Sequence, residues 1–198
     1  MPIADPTKIT ISKLEAAQRQ LKTAIGLWFA GGDPVSIHSL AYAAYEIVHA
    51  VSKRLNPGRR DLLFDSRTVI DKHRAEFNLL LKKHANFFKH GNRPEEETIE
   101  FPTVTSDLFV IFSIIGLSTC RVPQTDYEAA FLTWIQVHNP DFLTDQGRKM
   151  LTETLSVEAL QEIRLLSKEE FLQVVLTAKA RTRQEANTLG ALRESGIR

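Results

Sequence analysis

The chain has 198 residues, 43% of them hydrophobic and 25% charged, with a formal net charge of +1. That balance suits a medium-sized globular domain with its own core and excludes global disorder. A single cysteine, Cys120, excludes an internal disulfide and any zinc site built on several thiolates.

Helix signals recur from the N-terminus onward. Ser12 with Glu15 three residues later forms a capping box, and Leu14, Ala17, Leu21, Ala24 and Trp28 follow at helical spacing. Gly31-Gly32 ends that helix, and Asp33-Pro34 starts the next with an N-cap aspartate and a proline in its first turn. Along this second helix Ile37, Ala41, Ala44, Val48, Val51 and Leu55 make a seam whose alanines admit close packing of another helix. A scaffold built on that seam pairs through it with a second copy or a cognate protein partner. Beside it His38, Tyr42, Tyr45 and His49 share a face. These rings either fill the boundary of the core with solvated polar tips, or form a binding surface lining a cleft or subunit contact. Glu46-x-x-His49 matches one step of a di-iron carboxylate site, but the second motif and the further carboxylates are missing. No metal or cofactor is expected.

Asn56-Pro57-Gly58 breaks the second helix and opens a basic stretch. The spacing predicts a third helix from Asp65–Thr68 to His90, stopped by Gly91, with Ile70, His73, Phe77, Leu80, His84 and Phe87 along one stripe. From Lys53 to Arg93 eleven basic residues face four acidic ones, a local excess of seven positive charges, before Glu95, Glu96, Glu97 and Glu100 reverse the sign. Such a segment fits an anionic partner, unless the acidic run folds back on it. A fourth helix over about 107–119 is apolar on nearly all sides and is predicted to be the most buried element.

Smaller helices follow. Thr125-x-x-Glu128 caps one that ends before Asn139-Pro140, a second spans about 145–155, and a third begins after Ser156. Ser167-x-x-Glu170 caps a last helix to about Ala180, and residues 181–198 read as a mobile tail. The pattern predicts an all-α protein: an antiparallel helical bundle over residues 1–122, with small C-terminal helices over 123–180 extending the same domain. There is no secretory signal, and the most apolar window, Leu108 to Leu117, is too short to cross a bilayer, so a cytoplasmic location and no membrane partner are expected.

The stretch Lys82-Lys83-His84-Ala85-Asn86-Phe87-Phe88-Lys89-His90-Gly91 concentrates the chemistry. Helical spacing puts Lys83, Asn86 and His90 on one face. Metal-free RNA cleavage needs a base at the 2′-hydroxyl, an acid at the leaving oxygen and positive charge near the phosphorane. An imidazole serves as acid or base, and a lysine with an amide stabilises the charge. These groups could equally cap a helix and face water.

A helical bundle carrying a cationic residue, a polar residue and, a few positions later, a histidine resembles the HEPN superfamily. On that resemblance Lys83 stands for the motif arginine, His84 for the polar residue and His90 for the histidine. The resemblance implies that His90 is the acid or base, Lys83 stabilises phosphate charge, and His84 and Asn86 orient the group. Lys82, Lys89 and Arg93 would hold flanking phosphates. Many members of that superfamily are metal-independent ribonucleases, others bind nucleotides or nucleic acid, and they commonly dimerise, so RNA and a homodimer partner are implied here. Lysine lacks the planar fork with which arginine grips a phosphate, which puts cleavage in question. The resemblance covers the first four helices at most. A ribonuclease, a non-catalytic RNA-binding module and a partner-binding scaffold all remain open.

Overall fold

The computed structural model describes residues 7–91 and 94–194, with side chains to residue 186, and every regular element among them is helical. Eight α-helices follow in chain order: α1 (Lys13–Phe29), α2 (Pro34–Leu55), α3 (Arg74–Lys89), α4 (Thr105–Thr119), α5 (Asp126–His138), α6 (Asp145–Thr154), α7 (Val157–Leu165) and α8 (Lys168–Glu194). The chain divides into two compact units, Met1–Gln124 and Thr125–Arg198.

The caps read from the sequence are formed. Ser12 accepts from the Glu15 amide while Glu15 accepts from the Ser12 amide, and Thr125 with Glu128 repeats the exchange. Asp33 accepts from the Ser36 amide at 2.8 Å with Pro34 in the first turn. Gly31 takes a positive φ of 63° beyond the end of α1, a conformation that favours glycine.

In the first unit α2 is the central helix. Its seam of Ile37, Ala41, Ala44, Val48 and Val51 is buried, packed against α1 and α4, whereas Leu55, expected to continue it, is exposed at the end of the helix. Helices of the same chain therefore fill the seam that the scaffold reading would offer to a partner. At the crossing with α4, a Cβ on Gly116 would lie 2.2 Å from Val48 Cγ1, so glycine permits the approach.

Two elements depart from expectation. The third helix begins at Arg74, not near Asp65, because residues 59–73 form a loop with two single 3-10 turns, Leu63–Asp65 and Asp71–His73. Guanidinium groups supply the bonds that a helical backbone would have made. Arg74 donates to the Ser66 and Val69 carbonyls, both at 2.9 Å, and Arg60 and Arg74 both bind Asp71. The loop inserts Leu62, Leu63 and Phe64 into the core. With the register shifted, α3 buries Leu81, His84 and Ala85, while Ile70, His73, Leu79 and Leu80 are exposed. The second departure is α4, which buries Ser106, Phe109, Val110, Ser113, Ile114, Gly116 and Leu117 but leaves its other face open. It is not buried all round.

The second unit has its own core, with Phe131, Trp134, Val137, Leu160, Phe171 and Leu172 buried. Helix α8 runs to Glu194, so the segment from 181 expected as a tail is helical through that residue. No helix among the described residues is long and apolar enough to cross a membrane.

Candidate functional site

The basic segment sorts itself through its ion pairs. Lys53 reaches Asp65 at 3.3 Å, Arg59 binds Asp61, and Arg60 and Arg74 share Asp71. Four of the eleven cations are thus tied to three of the four local carboxylates. Lys82 is half-buried with its Nζ 4.7 Å from the centroid of the Phe64 ring, a cation–π contact. What remains at the end of α3 is Lys83, Asn86, Lys89 and His90, all exposed, with no side-chain ion pair or hydrogen bond among the described residues. Lys83 and Asn86 share a helical face as the spacing predicts. His90 is the C-cap residue. Its backbone is extended, with φ −111° and ψ 115°, and its N–H bonds the Asn86 carbonyl at 3.1 Å. It therefore stays beside Asn86 without continuing the helical projection. Arg93 lies outside the described residues.

His84 is elsewhere. The side chain expected to orient the exposed group is buried on the opposite side of α3, and its Nε2–H donates to the Glu100 carbonyl at 3.0 Å. A carbonyl only accepts, so that contact places a proton on Nε2. His84 Nδ1 is also buried and has no hydrogen-bond partner among the described residues. The neighbouring His38 ring stands edge-on, with centroids 6.1 Å apart. His38 is fully buried, pairs through Nδ1 with Ser106 Oγ at 3.1 Å, and likewise leaves Nε2 unpartnered. Phe88, Phe101 and Phe109 close around it. Burial, with the His84 ring beside it, lowers the His38 pKa to about 4. His38 is therefore neutral near pH 7, and the pair is an internal polar joint between α2, α3, α4 and the loop before α4.

The other rings of α2 are also structural, and their tips are bonded within the protein, not solvated. Tyr42 donates its hydroxyl proton to Glu46 at 2.8 Å, and Tyr45 Oη accepts the Phe64 amide at 3.1 Å. Both tyrosines are buried, which raises both phenol pKa values. His49 bonds Asp65 at 2.8 Å, so the four residues hold the 59–65 loop and α4 in place and do not form a shared binding surface. Partial burial works against the charge on Asp65, but His49 and Lys53 outweigh it and hold the carboxyl below its usual range. The recess lined by His49, Ser52, Lys53, Arg59, Asp61, Leu62 and Asp65 has a volume of about 10 Å³, the scale of one water molecule. It admits no metabolite. Asp65 is sixteen residues from His49 and carries no spacing signal that links them. Among the described residues, no cluster of three or more His, Cys, Asp or Glu side chains is placed to hold a metal ion.

Comparison with known proteins returns no match to any protein-family model, any curated protein or any solved structure. The chain's own geometry must carry the functional reading.

Proposed function

We propose that this chain is a HEPN-like module that binds RNA through the exposed cationic end of α3. One observation carries the reading. Lys83, Asn86, Lys89 and His90 stand together in solvent, while the arginines of the same basic segment that meet carboxylates are consumed in holding its loop. Unpaired lysines attract a phosphate backbone by displacing its counterions, and an exposed amide adds a donor without sequence preference.

Binding is favoured over cleavage for a geometric reason. A metal-free phosphodiester cleavage needs separate acid and base functions, and His84, the second imidazole of the motif, faces the core. His90 alone supplies acid–base chemistry at this edge, so turnover on one chain lacks a partner group. A cleaving pair would need another copy to bring a second His90 to the same phosphate.

The test is binding to a single-stranded RNA oligonucleotide over a salt series. Affinity is expected to fall as salt rises, and Lys83→Ala and Lys89→Ala each to reduce the slope of log K against log salt by roughly 0.7. Intact RNA after incubation in chelator supports the binding module. Cleavage that disappears in His90→Ala supports the nuclease. No RNA association at low salt defeats both.

A further inference from the structure

The joint of His38 and His84, inside the first unit, is built for two neutral rings. His38 Nδ1 faces Ser106 Oγ at 3.1 Å and His84 Nε2 faces the Glu100 carbonyl at 3.0 Å. His38 Nε2 and His84 Nδ1 are buried with no hydrogen-bond partner among the described residues. An imidazolium donates from both nitrogens, so a proton added to either ring creates a buried donor without an acceptor. The surroundings offer little relief. Around His38 the ring centroids of Phe101, Phe109 and Phe88 lie at 4.8, 5.4 and 5.7 Å. The titratable groups that face it are His84 from α3, edge-on, and Tyr42 from α2, whose hydroxyl is donated to Glu46. From α4 come Ser106 and Phe109, and from the strap before α4, residues 97–102, comes Phe101.

The pieces of chain that meet at this joint are unequally held. Helices α2 and α4 cross directly through Val48 and Gly116, a packing formed without α3. Helix α3 buries only Leu81, His84 and Ala85. Its first turns are tied to the preceding loop by Arg74 and by Asn78, whose Nδ2 donates to the Phe64 carbonyl at 3.1 Å. Beyond Asn78 it is held by that short buried set, by Lys82 over the Phe64 ring, and by Phe88 against His38 and Phe101. The strap has no regular secondary structure and is held through the Glu100 carbonyl and the Phe101 ring. We propose that the joint is an acid-released latch, in which protonation of His38 frees the C-terminal half of α3, with the strap, from a core of α1, α2 and α4 that stays folded. Opening withdraws Phe88, His84 and Phe101 from around His38 and lets water hydrate the cation. The cost is the packing of the released segment alone, so the event is sub-global. That segment carries Lys83, Asn86, Lys89 and His90, so acid loosens the cationic end from its support. The latch stands whether or not that end binds RNA.

His38 titrates at about 4 when enclosed, against an ordinary 6.5. Between those values the open form holds one proton more than the closed one, so the opening constant rises about tenfold per pH unit, roughly 300-fold across the window. Hydrogen–deuterium exchange of the full chain between about pH 7 and 4.5, corrected for the intrinsic pH dependence of amide exchange, tests this. Amides of residues 81–89 are expected to lose protection about tenfold per pH unit below 6.5, and to exchange fully where those of 41–51 and 109–117 still resist. His38→Phe keeps a ring in the box but takes up no proton, and is expected to abolish the slope in α3. Leu81→Ala weakens the same packing without a titrating group, and is expected to raise exchange of α3 at every pH with the slope unchanged. If α3 loses protection only together with α2 and α4, the joint belongs to the global core and the latch is overturned. A wild-type α3 whose protection does not change with pH overturns it too, as does a slope that survives His38→Phe.

Discussion

Histidine is used in two opposite ways within one helix and its neighbours. His90 is exposed at the end of α3, whereas His84 and His38 are enclosed by phenylalanines, each leaving one ring nitrogen unpartnered. The enclosed pair has a thermodynamic consequence. His38 titrates at about 4 in the folded chain against the ordinary 6.5. Between those values the unfolded chain binds a proton that the native state refuses, so stability rises with pH across this window. Stability is therefore complete above about pH 6.5 and is lost as pH falls toward 4. The loss from His38 is about 3 kcal/mol when fully expressed, at 1.36 kcal/mol per pKa unit. Urea unfolding between pH 7 and 4 measures it. His38→Phe keeps an aromatic ring in the box and is expected to flatten the dependence in that interval. An unchanged slope in this variant would assign the acid sensitivity to other groups.

At the scale of elements, the α2–α4 crossing is set by Gly116. Replacing it with alanine gains about 1 kcal/mol of helix propensity. It also drives a methyl group to 2.2 Å from Val48 Cγ1, in a core where Val48 is fully buried and, as a β-branched residue, stiff. Overpacking typically costs 1–3 kcal/mol, and here the contact is too short to relieve by rotation alone. Gly116→Ala is expected to destabilise by roughly 1–2 kcal/mol net in urea unfolding. In Gly116→Ala with Val48→Ala, the added methyl should cost less than it does alone, giving a non-additive double-mutant cycle. Full additivity would mean that the helices do not meet where the crossing places them. The capping boxes of α1 and α5 and the Asp33-Pro34 start of α2 were legible because each lies within four residues of sequence. The start of α3 was not. Whether Ile70 and His73 extend a helix depends on Arg60 and Arg74 bonding the carbonyls and Asp71 of the loop, and periodicity is blind to that competition. The same limit hid the true environment of His84. A shift in which face of α3 is buried exchanges an orienting group for a core residue.

For the whole molecule, composition predicted one globular body, yet the chain forms two units with separate cores. The first draws its buried residues from α1, α2, α3, α4 and the Leu62–Phe64 insertion, closed by the His38–His84 joint. Every one of those contacts lies before Thr125. A unit of this size buries enough apolar surface to fold alone, whereas the second, of roughly 70 residues, sits where a single core is marginal. Among the described residues its buried set is Phe131, Trp134, Val137, Leu160, Phe171 and Leu172 with few others, and α6 buries none. A fragment of residues 1–124 is therefore expected to melt cooperatively by circular dichroism and to keep the acid sensitivity assigned to His38. The fragment 125–198 is expected to lose much of its helix on isolation, and in the full chain its transition comes at the lower temperature. If 1–124 melts without a cooperative transition, the core of the first unit depends on residues beyond Gln124. The autonomy inferred from its internal packing would then be wrong.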